Sequence, residues 1–201
     1  MALSTHKARP PRQLSAADWV RAAMDAIVAS GVGAVAVEPL AARLGTTKGS
    51  FYHHFDNRDA LISAALEDWE QSQTEAVIAR LSLIPDPAER LRAVMAAALA
   101  DRPGGVRDAA LVTAANHPLV KPVVARVTER RLRYMTDICV ELGLPRGQAR
   151  HRVLLLYSSY LGLFDYLRVG LGPGLSDAEF RAYTEDLLDA LIPTTNEGGS
   201  P

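Results

Sequence analysis

Apolar residues recur along this chain at steps of three and four, punctuated by glycine and proline, and no segment alternates with the period of two that marks a strand. Ser15 suits an N-cap, and Val20, Ala23, Met24, Ile27 and Val28 then mark the buried stripe of a first helix, which Gly31 closes and Gly33 follows with a loose loop. A second, short helix from Glu38 to Leu44 carries Leu40, Ala41 and Leu44 at helical spacing, with Pro39 in the first turn, where its missing N–H costs nothing. Gly45 ends it. Thr46 or Thr47 can cap a third helix from Lys48 to Phe55, in which only Phe51 and Phe55 are clearly apolar. Asn57 suits the N-cap of a fourth helix running to about Leu81, with Leu61, Ile62, Ala65, Leu66, Trp69, Ala76 and Val77 on its apolar side.

The pattern stays helical beyond Pro85. Asp86-Pro87-Ala88-Glu89 is a start signal before Leu91, Val94, Met95, Ala98 and Leu99, and Pro103-Gly104-Gly105 reads as its stop. A short helix is expected over Val106–Asn116, an interruption at His117-Pro118, and a long helix from about Leu119 to Leu142 with Gly143 as its C-terminal stop. The polar side of that helix, Arg126, Arg130, Arg131 and Arg133 with Glu129, reads as a solvated face. Pro145 opens an eighth helix that is apolar nearly all round from Val153 to Leu167, broken by Gly172-Pro173-Gly174. Ser176 and Glu179 then form a capping box for a last helix with Phe180, Tyr183, Leu187, Leu188 and Leu191 on one face, ended by Pro193. The expectation is an all-α protein of about nine helices. Residues 1–14 form a basic arm, 15–62 a three-helix module, 63–193 a helical bundle and 194–201 a polar tail. The boundary between module and bundle falls inside the fourth helix, which makes that helix a lever.

Composition narrows the function. A chain of 201 residues with 48% hydrophobic and 22% charged residues can bury a substantial core. Its net charge of −1 supplies no global basic field, so any hold on nucleic acid has to come from a local patch. The sole cysteine, Cys139, excludes an internal disulfide and fits a reducing cytoplasm. The N-terminus has cations without an apolar run, so no secretory signal is expected, and the run from Val153 to Phe164 is too short to span a bilayer. A cytoplasmic protein with no membrane partner follows from these readings.

The third helix is a poor core helix and a good reading head. Two short helices joined by a glycine turn, the second rich in donors, match a helix-turn-helix, in which the first helix braces and the second reaches base edges in the major groove. The candidate contacts to double-stranded DNA are Thr46, Thr47, Lys48 and Ser50, with Tyr52 and His53 one turn later; hydroxyls, lysine and tyrosine also suit phosphate oxygens. Arg58, at the start of the fourth helix, is placed to bind phosphate with help from the helix N-terminus. Lys7, Arg9 and Arg12 in the acid-free arm either engage phosphates and the minor groove or form a solubilising tail.

Ala41, Gly45, Lys48-Gly49-Ser50-Phe51-Tyr52, His54-Phe55, Arg58 and Leu61 together resemble the signature of the TetR family of transcriptional regulators, across more than twenty positions. The chain departs from that signature at Ala36, where a capping Thr or Ser is usual, at Pro39, which replaces a polar residue, and at Arg58, which replaces the more common Lys. The resemblance implies an N-terminal helix-turn-helix DNA-binding domain followed by a ligand-binding and dimerisation bundle. It implies a regulator, most simply a repressor, that binds a palindromic operator as a homodimer and is released by a small effector. A helix without a wet face needs partners on every side, so the last two helices are the expected dimer interface, two copies forming a four-helix bundle. An activator or a ligand-independent regulator would share every DNA-reading residue. An all-α adaptor or enzyme with a vestigial helix-turn-helix remains the more distant alternative.

Bundle interiors hold ligands between apolar walls carrying a few polar groups. The candidates here are Trp69, Met95, Thr113, Asn116, His117, Tyr134, Tyr157, Tyr160, Phe164 and Asp165, a mixture that suits a moderately hydrophobic or aromatic effector. Each has a plainer reading: Met and aromatic residues fill cores, His117 before Pro118 caps a helix end, and Asp165 pairs with Arg168. No cofactor or metal is expected. Gly45 to Ser50 has Lys and Gly in the wrong order for a phosphate loop, and the adjacent His53 and His54 point about 100° apart on a helix. A nucleophile elbow is absent from the sequence, and with it the main signal for hydrolysis.

Overall fold

The structure is a computed structural model that describes residues 14–172, 174 and 176–191. Among the described residues the chain is all-helical: α1 (Ala16–Ser30), α2 (Val37–Arg43), α3 (Lys48–Tyr52), α4 (Arg58–Glu70), α5 (Ala76–Leu81), α6 (Pro87–Ala100), α7 (Arg102–Thr113), α8 (Val120–Glu141), α9 (Arg146–Arg168) and α10 (Asp177–Leu191). A π turn over Gln71–Glu75 joins α4 to α5 without a break, so the two are one long helix with a wide turn in the middle. Counted that way the segments number nine. The wide turn carries no sequence signature of glycine or proline and was not anticipated by periodicity.

Most helix starts are set by local side chains. Asp18 folds back to accept from the backbone N–H and hydroxyl of Ser15, at 2.8 and 2.7 Å. Asn57 Oδ1 accepts from Ala60 N at 2.9 Å, Asp86 from Ala88 N at 3.1 Å, and Ser176 and Glu179 form the reciprocal box expected of them. At the expected interruption His117 Nδ1 accepts from Leu119 N at 3.2 Å. Gly45, at φ +65°, makes the tight turn between α2 and α3 that a residue with a Cβ would strain.

One boundary differs from the sequence expectation. Pro103-Gly104-Gly105 does not stop a helix; it lies in the first turn of α7. Asp101 is the reason, because its Oδ1 accepts from Gly104 N at 3.0 Å and so starts a new helix where composition alone reads a break. A Cβ on Gly105 would run into the ring of Phe164, so this glycine lets α7 approach α9 closely.

Two hydrophobic cores result. The first gathers α1–α4 around Trp19, Phe51, Leu61, Ile62 and Leu66, and continues through Leu111, Val120, Val124 and Val127 onto α7 and α8. The second joins α6, α8, α9 and α10 around Leu91, Ile138, Val153 and Phe164. Trp19 is core and sits edge-on to Phe51 with ring centroids 5.3 Å apart. The arm with Lys7, Arg9 and Arg12, and the tail from 194 to 201, lie outside the described residues.

Candidate nucleic-acid interface and bundle cavity

In α3 one side chain anchors and its neighbours reach out. Phe51 is fully buried between Trp19 and Phe55, and the hydroxyl of Thr47 caps the helix by accepting from Ser50 N at 3.4 Å. With Phe51 fixed inward, helical phase turns Thr47, Lys48, Tyr52 and His53 to solvent, Tyr52 with 54% of its surface exposed. Thr46 and Ser50 are half-buried beside them. Lys48 Nζ lies 2.8 Å from Glu38 Oε1 on α2, and the hydrogen bond to that carboxylate raises the lysine's pKa and lowers the glutamate's. Leu14, the first described residue, meets this surface: its carbonyl accepts from His54 Nε2 at 3.1 Å.

Arg58 is placed differently from the sequence expectation. Its Nε donates to the Val35 carbonyl at 2.6 Å and its Nη2 to the Val32 carbonyl at 2.7 Å, while Nη1 faces Asp59 at 3.2 Å. The guanidinium thus ties α4 to two carbonyls of the segment between α1 and α2, of which that of Val32 also accepts from Val35 N at 3.2 Å. Arg58 braces the module rather than standing free for phosphate.

The bundle holds a cavity of about 540 Å³, partly open to solvent and bounded by the π turn, α5, α6, α7, α8 and α9. Of the ten residues the sequence nominates for an effector, Met95, Tyr134, Tyr157 and Tyr160 line it. Trp69 lies behind its wall, with Nε1 donating to Asp108 at 2.8 Å, and Phe164 is core, edge-on to Tyr160 at 4.9 Å. Thr113, Asn116 and His117 are elsewhere, around a cavity of about 340 Å³ between the ends of α1 and α7. Asp165 pairs with Arg168 at 2.6 Å on the surface of α9, the plainer of its two readings.

The polar centre of the larger cavity is a pair that periodicity passed over. Asp108 and Arg131 meet at 2.5 Å, and Tyr160 donates its hydroxyl to the same carboxylate at 3.0 Å. Arg131 also donates from Nε to Thr74 Oγ1 at 2.9 Å and from Nη2 to the Gln73 carbonyl at 3.2 Å, and its guanidinium lies 5.4 Å over the Trp69 ring. Burial opposes the Arg131 charge, but Asp108 outweighs it and holds the guanidinium's pKa above its ordinary value. Burial, reinforced by Asp108, likewise pushes the Tyr160 phenol up, so it stays a donor.

The arginine face of α8 is solvated as expected at Arg126 and Arg133, but its side chains are paired and Arg131 is drawn inward. Arg126 makes a two-pronged contact with Glu70 at 2.7 and 2.5 Å, Arg130 meets Glu75 at 3.2 Å, and Arg131 clasps the π turn between them. Arg133 pairs with Glu129 within the helix, both exposed. A signal for Arg131 did exist in the sequence: Val127, Arg131 and Met135 are spaced by four, which puts the arginine inside the apolar stripe. Asp108 is a lone acid beside Ala109, Ala110 and Leu111.

Comparison with known proteins places this architecture. A family model described as bacterial regulatory proteins, tetR family, matches residues 20–65. The HTH-type transcriptional regulator BetI of Burkholderia ambifaria (strain MC40-6) is 26% identical over 193 residues, covering 90% of this chain and 95% of that protein. The BetI regulator of Burkholderia lata is 27% identical over the same shares. In three dimensions the chain is similar to a TetR-family transcriptional regulator from Agrobacterium tumefaciens, with a TM-score of 0.71 at 21% identity, covering 89% of this chain and 97% of that one. Among the described residues no helix is long and apolar enough to cross a membrane, and no group of three or more metal-ligating side chains is found.

Proposed function

We propose that the chain, which matches the tetR family model over residues 20–65 and resembles BetI regulators along 90% of its length, is a DNA-binding transcriptional regulator of that family and a repressor released by a small effector held in the bundle cavity. The carrying observation is a shared helix. The segment that Asn57 caps beside the reading head continues through the π turn and ends as a wall of the 540 Å³ cavity. An effector that binds better to one setting of that helix shifts the balance between operator-competent and incompetent states by its differential affinity.

The regulator acts as a homodimer through α9 and α10. Leu155, Gly162, Tyr166 and Val169 recur at helical spacing along the open side of α9; all four are exposed, and open space lies next to Gly162. A two-fold axis along that stripe would offer two reading heads to a palindromic duplex, with half-site centres roughly 34–36 Å apart or further. Lys48, Tyr52, His53, Thr47, Thr46 and Ser50 are the groups proposed to meet the DNA; Lys7, Arg9 and Arg12 are proposed to add phosphate contacts.

Selection of bound sequences from a random duplex pool at two salt concentrations tests this reading. A recovered palindrome whose binding falls steeply with salt is expected. With that duplex, Lys48→Ala and Tyr52→Ala should weaken binding while leaving the dimer intact, and Lys48→Ala should lower the salt slope by about one. Unchanged affinity in both variants would remove the reading head. The position of the operator relative to the promoter separates repressor from activator.

A further inference from the structure

The cavity's unused hydrogen-bonding capacity has a sign. Asp108 is 5% exposed, and its two oxygens already accept from Trp69 Nε1, Tyr160 OH and Arg131 Nη1. A guanidinium carries five N–H donors. Arg131 uses one on Nε toward Thr74, one on Nη1 toward Asp108 and one on Nη2 toward the Gln73 carbonyl, which leaves one on each terminal nitrogen at the cavity wall. The hydroxyl-bearing Tyr157 lines the same wall. Charge, by contrast, is balanced: Arg131 and Asp108 cancel in the interior, and Arg80 and Asp101 offset each other among the exposed lining residues.

We infer that the cavity takes an uncharged, largely apolar molecule bearing a carbonyl-type oxygen, and that this oxygen accepts from Arg131. The inference rests on the reading of the cavity as the effector site. A carboxylate would add a buried negative charge beside Asp108 with no cation left to neutralise it. An amine would have to displace donors from a carboxylate that is already fully engaged. A plain hydrocarbon would cover the spare N–H groups of Arg131 and leave them without acceptors. A neutral carbonyl satisfies them and leaves the charge balance alone, while the apolar walls of Val94, Met95 and Ala98 take up the rest of the molecule. Because the same guanidinium also holds Thr74 and the Gln73 carbonyl, an oxygen on its remaining donors is bound to the group that grips the π turn.

The experiment uses the full chain and a matched collection of one- and two-ring aryl ketones, aryl carboxylates, arylmethylamines and alkylarenes, with binding followed by ligand-observed NMR. Three proteins are compared: the wild type, the cavity-filling Ala98→Phe, and the charge-neutral double variant Arg131→Gln/Asp108→Asn. Ketones are expected to dominate the binders, to be lost from Ala98→Phe, and to bind the double variant at least tenfold more weakly. The arginine Nε spectrum of the wild type supplies a readout independent of the variants, with the Arg131 resonance moving on ketone addition. Dominance by carboxylates or amines, equal ketone binding to the double variant, or an unmoved Arg131 resonance would overturn the inference while loss in Ala98→Phe left the cavity reading standing. Ketones that still bind Ala98→Phe, or no binding by any class, would overturn the cavity reading and the inference with it.

Discussion

Lys48 is proposed to meet DNA and is held by Glu38 at 2.8 Å, so on that reading the carboxylate on α2 competes with DNA for the lysine. Both groups are exposed, which keeps the competition modest. Glu38→Gln is expected to raise operator affinity about two- to fivefold, within the range of an exposed ion pair, and a titration of the variant against wild type at fixed salt checks it; equal or weaker binding counts against the competition. Donor chemistry and helical phase suffice to nominate Lys48 and Tyr52 from the sequence, and the structure exposes both and gives the cap of α3 to Thr47. Arg58 shows the limit of that reasoning. Its type suits phosphate, but its placement depends on where the carbonyls of Val32 and Val35 fall after α1 and α2 have packed, and no local pattern encodes that. Asp108 and Arg131, 23 residues apart in the chain, became a pair for the same reason.

Periodicity was most reliable for the elements themselves and least reliable at a start that a capping side chain sets against composition. Pro103-Gly104-Gly105 reads as a stop by composition and is a start because Asp101 caps it, while Gly105 admits Phe164 against α7. Gly105→Ala should therefore destabilise the fold by about 1–3 kcal/mol as an overpacked contact, seen as a lower denaturant midpoint with an unchanged slope. The link between α4 and α8 carries a pH signature. Arg126, by its hydrogen bonds, holds the Glu70 carboxyl below the ordinary carboxylate range, against the raising effect of burial. A folded pKa below the unfolded one means that the contact contributes fully above the ordinary carboxylate pKa and is lost as pH falls through the lowered value. Glu70→Gln should accordingly be less stable than wild type at neutral pH, by about 1 kcal/mol or less given the exposure of Arg126, and the difference should vanish in acid. Denaturant midpoints of both proteins across that range decide it; a gap that persists in acid would mean that packing, not charge, separates them.

For the molecule as a whole, the proposed dimer rests on the open side of α9 and the proposed release on the helix that runs from α4 to the cavity. Leu155→Glu with Tyr166→Glu should yield a monomer by sedimentation and cost most of the operator affinity, because each half-site alone supplies only half of the phosphate contacts; a dimer that survives both charges would move the interface elsewhere. The sequence reads as two parts, divided where the basic, donor-rich segment ends and the unbroken helical pattern begins. The first core crosses that division, since Leu111, Val120, Val124 and Val127 pack with α1–α4. The π turn gives the connection a further property. A wide turn amounts to one residue too many in an α-helix, and each residue carries about 100° of rotation. It behaves as a dislocation does in a crystal: sliding it by a few positions swings only the side chains it passes, while both ends keep their phase. The helix can thus change what it shows to Arg131 and the cavity without bending and without disturbing the Asn57 cap beside the reading head.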